Sequence, residues 1–192
     1  MRKWLILLAL LSFFNISYAD VHSALLHTVV ETNVPYYTVP SQMFRLDDGS
    51  VWAVYRWKDG GWRQLEVSVG DTVAVETSST PRWHDPDDEY YVEGYDYVVT
   101  NLRTNESADR GKPHWTKGPY ALEIASIQFH QVVLSDGSVW EVSKDWKIVN
   151  GWSEGDAVVL AFNNGKNQEE SPYVLINMQS PVIVHAACDL SQ

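Results

Sequence analysis

The sequence predicts an all-β protein: two tandem, duplicated small β-barrel repeats behind an export signal. Three observations carry that expectation. The pentapeptide Asp-Gly-Ser-Val-Trp occurs twice, at 48–52 and 136–140. The apolar pattern around each copy alternates with a period near two, as in a strand with one buried face. No long segment shows the three-four apolar spacing, bounded by caps, that marks a helix.

The chain opens with Arg2 and Lys3, an apolar run from Trp4 to Phe14, and the small residues Ser17 and Ala19 around Tyr18. This is the pattern of a secretory signal over 1–19, cut after Ala19. The apolar run falls short of the roughly 20 residues that cross a bilayer, and no later stretch is long and apolar enough. The mature chain is therefore expected to be periplasmic or extracellular, with no transmembrane segment.

Residues 20–35 read as an N-terminal arm or a leading strand. The first repeat spans 36–109, with strands around the first pentapeptide and at Thr72–Glu76 and Gly94–Leu102. An insertion at about 78–94 interrupts it. A linker rich in Gly, Pro and Lys occupies 110–121. The second repeat, 122–187, has strands at Gln131–Leu134, Val139–Val142, Ala157–Phe162, Tyr173–Met178 and Val182–Ala186. A short tail, 188–192, closes the chain.

Duplication is supported by landmarks in shared order. Leu46 matches Leu134 and Val54 matches Val142. Gly70-Asp71-Thr72-Val73 matches Gly155-Asp156-Ala157-Val158, and Tyr97–Leu102 matches Tyr173–Met178. The spacing between matched landmarks narrows along the chain, so the first copy carries the insertions. In each pentapeptide, Asp48-Gly49 and Asp136-Gly137 read as hairpin turns, because Gly accepts the positive φ of a tight turn. Val and Trp then point to opposite faces, one of them filling the core. Gly70-Asp71 and Gly155-Asp156 read as a second structural turn, with the Asp side chain bonding nearby amides. About five short strands in each copy resemble the small barrels of the SH3-like or OB-like kind. Fold likeness of that sort carries no function with it.

Composition narrows the partners. A net charge of −11, with 14 basic against 25 acidic residues, argues against nucleic acid, whose phosphates require clustered cations. It also disfavours an anionic membrane surface. One cysteine, Cys188, allows no internal disulfide, so stability has to come from the core.

The insertion is the most unusual segment. Asp85, Asp87, Asp88 and Glu89 lie together there, and a hard cation such as Ca²⁺ would relieve their repulsion. The spacing lacks the alternating acids and distal glutamate of an EF-hand, and a solvated acidic loop is the simpler expectation. No cofactor is otherwise expected. Trp83, Tyr90, Tyr91, Tyr95 and Trp115 form a candidate ligand or partner surface, whereas Trp52, Trp140 and Trp152 read as core. The histidines, His22, His27, His84, His114, His130 and His185, share no ligand-like spacing; His130 and His185 fall in predicted strands. Motifs for a nucleophile, a zinc hydrolase or a phosphate loop are missing. The expectation is a non-catalytic exported interaction module, bound to a protein partner. A carbohydrate-binding or cell-wall module is the alternative, followed by a hydrolase or metal-dependent enzyme with its site between the repeats.

Overall fold

The computed structural model describes residues 25–32, 42–58, 61–78, 97–114, 122–142, 144–165, 167–179 and 183–188. The chain runs through β1 (Leu26–Thr32), β2 (Gln42–Leu46), β3 (Val51–Lys58), β4 (Gly61–Arg63), β5 (Thr72–Thr77), β6 (Tyr97–Asn101) and β7 (Glu106–His114). Six of these close an antiparallel barrel in the order β1-β2-β3-β7-β6-β5, with β5 returning to β1. β4 forms a hairpin on the end of β3. Closure depends on β1, which divides its pairing. Leu26–Thr28 lie against β5, and Val29 to Thr32 lie against β2, with a bulge between Val29 and Glu31. A bulge bends its strand and sharpens the local twist, which lets one short strand serve two neighbours.

The second half adds β8 (Ile124–Gln128), β9 (Gln131–Leu134), β10 (Val139–Glu141), a single helical turn α1 (Trp146–Val149), β11 (Val158–Phe162), β12 (Tyr173–Asn177) and β13 (Ile183–Cys188). Its strands pair in the order β8-β9-β10-β13-β12-β11. The two ends of that path are joined by one antiparallel bridge, Glu123 to Ala157. β8 is bulged between Ile124 and Ser126, just after the residue whose amide bonds the Asp156 carbonyl, as the Val29 amide bonds that of Asp71.

Each pentapeptide is a relay from turn to core. Asp48 Oδ1 accepts from the Ser50 amide (2.9 Å) and hydroxyl (2.6 Å), and Ser50 Oγ accepts from the Trp52 indole (2.9 Å). The same three bonds join Asp136, Ser138 and Trp140 at 2.9, 2.6 and 2.8 Å. An indole N–H buried without a partner would cost about 1–3 kcal/mol, so the serine lets a Trp fill the interior. Trp52 then meets Tyr97 edge to face at 5.3 Å, and Trp140 meets Tyr173 at 5.5 Å. Val51 and Val139 are buried as well. The expectation that one of the two side chains would fill the core is therefore exceeded, because both faces of the strand start are covered.

The two halves share a packed seam. Along β11, Val158 and Leu160 join the core of the second half, whereas Val159 and Ala161 join the cluster that fills the first barrel. β12 does the same, with Tyr173 and Leu175 on one side and Val174 and Ile176 on the other. Strands buried on both faces are apolar throughout instead of alternating, as Ala157–Phe162 is. At the seam's edge Phe162 pairs with Glu76 in parallel register, and the Asn164 amide bonds Thr77 Oγ1 at 2.8 Å.

Each ring uses six strands where the pattern indicates about five, and the reason is physical. The bulges in β1 and β8 shift the phase of the apolar alternation, leaving Val30 and Ala125 exposed beside buried residues. β1 lies in the stretch read as an arm or a leading strand and settles it as a strand, and β7 continues through Arg110 to His114, read as linker. Gly111 is needed within β7, since a Cβ there would come within 3.0 Å of Val99 Cγ2. Among the described residues the strand beyond Gly111 pairs with β3 alone, where Pro113 is tolerated without an N–H.

Gly49 and Gly137 adopt φ of 86° and 87°, a region that costs a β-branched residue about 1–3 kcal/mol. Gly137→Val is expected to lower unfolding free energy by that amount in urea melts; an unchanged midpoint would mean that the turn tolerates other conformations.

Candidate functional site

The acidic candidates Asp85, Asp87, Asp88 and Glu89 and the aromatic candidates Trp83, Tyr90, Tyr91, Tyr95 and Trp115 lie outside the described residues. The turn residues lie within them. Gly70 and Gly155 have φ of 91° and 86°, and Asp71 and Asp156 each accept an amide bond from a serine three residues back, Ser68 and Ser153, at 2.9 Å.

A group that the sequence did not bring together sits at the seam. His27, on β1, is 4% exposed. Its Nδ1 lies 3.7 Å from Asp47 Oδ1 and 3.5 Å from Asp48 Oδ2. Its Nε2 faces the Leu160 carbonyl of β11 at 3.4 Å. A carbonyl can only accept, so that contact assigns a proton to Nε2. Pairing of β1 with the β2–β3 turn, through the Asp47 amide to the Thr28 carbonyl at 2.9 Å, holds the carboxylates against the ring. Burial alone pushes the His27 pKa down, but the neighbouring carboxylates of Asp47 and Asp48 outweigh it, and the net shift is upward. Asp47 is held below its ordinary value, chiefly by the His27 ring beside it.

Asp48 is thus divided between two tasks. Oδ1 holds the turn, whereas Oδ2 is buried and accepts no hydrogen bond from a described residue. In the second half, the places of His27 and Asp47 in the same backbone bonds are taken by Leu122 and Ser135. Only the turn aspartate, Asp136, recurs. That asymmetry between matched segments is the signal in the sequence that could have singled out His27, since linear spacing could not.

A second feature lies at the β8–β9 turn. Phe129 is 80% exposed, and His130 beside it is a non-glycine residue at φ 64°, in the turn and not in a strand as expected. Phe129 stands 4.0 Å from the His130 ring and 5.8 Å from Trp146 on α1, while His130 and Trp146 stack at 5.5 Å and 11°. The stack braces a turn whose backbone a histidine adopts only with strain. His185 belongs to β13, where its amide and Nδ1 bond Asp145 Oδ2 at 2.7 and 2.8 Å; this ties α1 to the sheet.

A third polar group is a clamp. Asp71 takes a bidentate bond from Arg103, Nε to Oδ1 at 2.7 Å and Nη2 to Oδ2 at 3.1 Å, and a further bond from Asn101 at 2.8 Å. Asn177 bonds Asp156 at 2.7 Å in the same way, but Gln179 stands where Arg103 would be. With its oxygens occupied, Asp71 reads as a fastener between turn and strand, with no capacity left for a ligand.

Comparison of the chain with protein-family models, with curated proteins and with solved structures returned no match.

Arg103 holds the Asp71 carboxyl well below the usual carboxylate range, outweighing burial. A depressed folded pKa stabilises the fold above the unfolded value, near 4, and the contribution is lost as pH falls from there toward the folded value. The stability gap between the wild type and Asp71→Asn is therefore expected to be widest at neutral pH and to narrow below about pH 4 in urea melts. A gap constant with pH would remove the electrostatic account.

Proposed function

We propose that this chain is an exported, non-catalytic interaction protein, bacterial and periplasmic or secreted, built from two duplicated β-domains. Support for duplication comes from the shared strand order, the paired bulges and the two Asp-Ser-Trp relays. Support for export comes from the basic, apolar and small-residue zones of the first 19 residues.

The observation that carries the interaction reading is Phe129. A large apolar ring so exposed, on a strained turn braced by stacked rings, has the character of an anchor for a protein partner. Aromatic anchors that bury in a partner's pocket dominate binding energy in protein interfaces, and strained backbone gathers at functional positions. The partner is a protein that offers an apolar pocket to the Phe129 ring. A glycan bound through the insertion aromatics is the alternative, and the same experiment separates the two.

Phe129→Ser should change stability by no more than about 0.5 kcal/mol, as surface changes do. It should cut recovery of a defined protein from envelope extract by about tenfold or more, while Val69→Ser, at another exposed apolar position, leaves recovery intact. Equal recovery by both variants, or recovery of polysaccharide alone, would overturn the reading. The exported form should begin at Asp20 by mass spectrometry; an uncut chain confined to the cytoplasm would remove the export proposal.

A further inference from the structure

We propose that His27, Asp47 and Asp48 form a binding site for a divalent first-row transition ion of the zinc class, built into the first half alone. The site is independent of the partner surface at Phe129.

Three observations point to a cation. First, one imidazole nitrogen and two carboxylate oxygens converge, with all three ligand atoms within 4.8 Å of one another. Second, the Leu160 carbonyl occupies Nε2, so the nitrogen directed at the two carboxylates is Nδ1, whose proton a bound metal ion would displace. A backbone carbonyl on the outer nitrogen is the usual way a metal-bound histidine is oriented. Third, the Asp48 side chain is 9% exposed, yet its Oδ2 has no hydrogen-bond donor among the described residues. A buried carboxylate oxygen normally finds a donor; here the space before it is framed by Nδ1 and Asp47.

The spacing suits a small tetrahedral ion. Ligands about 2.0–2.1 Å from such an ion lie roughly 3.3 Å apart, and the His27 nitrogen lies 3.5 and 3.7 Å from the two oxygens. Contraction by a few tenths of an ångström would bring them to coordination distance. Ca²⁺ and Mg²⁺ fit poorly, because they favour all-oxygen shells of six or more ligands. A mixed nitrogen and oxygen set suits zinc and its neighbours, with zinc bound more tightly than manganese. The Asp47 side chain is 46% exposed, so the cluster reaches solvent on the Asp47 side, from which water or an exogenous ligand would complete the shell.

The site also bears on the seam. His27 would link a metal on the first barrel to a carbonyl of β11, so that metal occupancy favours the docked arrangement of the two halves. Asp136 holds the second turn without a histidine facing it, and that half supplies the internal control.

The test is calorimetric titration of the full chain with ZnCl₂, after stripping with chelator, alongside melting curves. The wild type is expected to bind one zinc ion. At about hundredfold excess over the dissociation constant the melting temperature should rise by roughly 5 °C or more. Asp47→Asn, at a solvent-exposed position, and His27→Gln should each weaken binding by about 100-fold, and Asp136→Asn should leave it unchanged. Metal-free melts of each variant separate lost binding from lost folding. Cobalt should give the intense visible absorption of a tetrahedral site in the wild type and lose it in Asp47→Asn. Zinc binding that survives Asp47→Asn, that disappears instead in Asp87→Asn/Asp88→Asn, or that is not saturable would overturn the proposal, leaving a proton on Nδ1 as the cation that closes the cluster.

Discussion

A buried indole N–H that must find an acceptor is the constraint on which the rest of this fold depends. Trp52 and Trp140 are among the largest fully buried side chains, and each can be buried only because a serine two residues earlier offers its hydroxyl oxygen. That serine is in turn held by a turn aspartate, whose chain reversal requires a glycine at positive φ. Four consecutive chemical requirements therefore fall within five residues, and the pentapeptide tolerates little change. The strand it launches, the tyrosine against the indole face and the closing of the ring all follow from that anchored Trp.

The halves are alike in backbone and unlike in surface. In β11 and β12 every second side chain points away from the local core, and those positions carry Val, Ala and Ile because the first half covers them. In β6 the outward positions Val98 and Thr100 are only half-buried. The second half thus presents an apolar back to the first, and burial of this size makes the pair one packed body. Asn163 and Asn164 at the edge of the seam satisfy Thr77 and Glu76, which keeps the polar groups there from being stranded.

The two proposed sites fall where the halves differ. The clamp at Asp71 has its arginine only in the first half, and the His27 cluster has no histidine in the second. The exposed Phe129 lies in the second half, on a two-residue turn between β8 and β9. A shared scaffold that is stable through its repeated turns can vary such positions at little cost, since none of them carries a turn relay or a core ring. In the proposed ion site only Asp48 has a counterpart, Asp136, whereas His27 and Asp47 are replaced by Leu122 and Ser135.

The all-β class, the two Asp-Gly turns and the Trp residues of the core were legible in the sequence because each rests on local chemistry: a period of two, a glycine in a tight turn, an aromatic flanked by valine. Even the double burial of β11 is written in its unbroken apolar run. What the linear pattern left open or hid were β1, β7 and β8, because each carries a bulge that slips the phase and β7 is also polar with Gly111 and Pro113 inside it. The meeting of His27 with Asp47, Asp48 and the Leu160 carbonyl was decided by tertiary structure alone. It depends on β1 splitting its pairing between β2 and β5 and on β11 docking beside β5. Contacts between residues 133 positions apart are set by how strands close and pack, for which no local pattern in the chain encodes a sign.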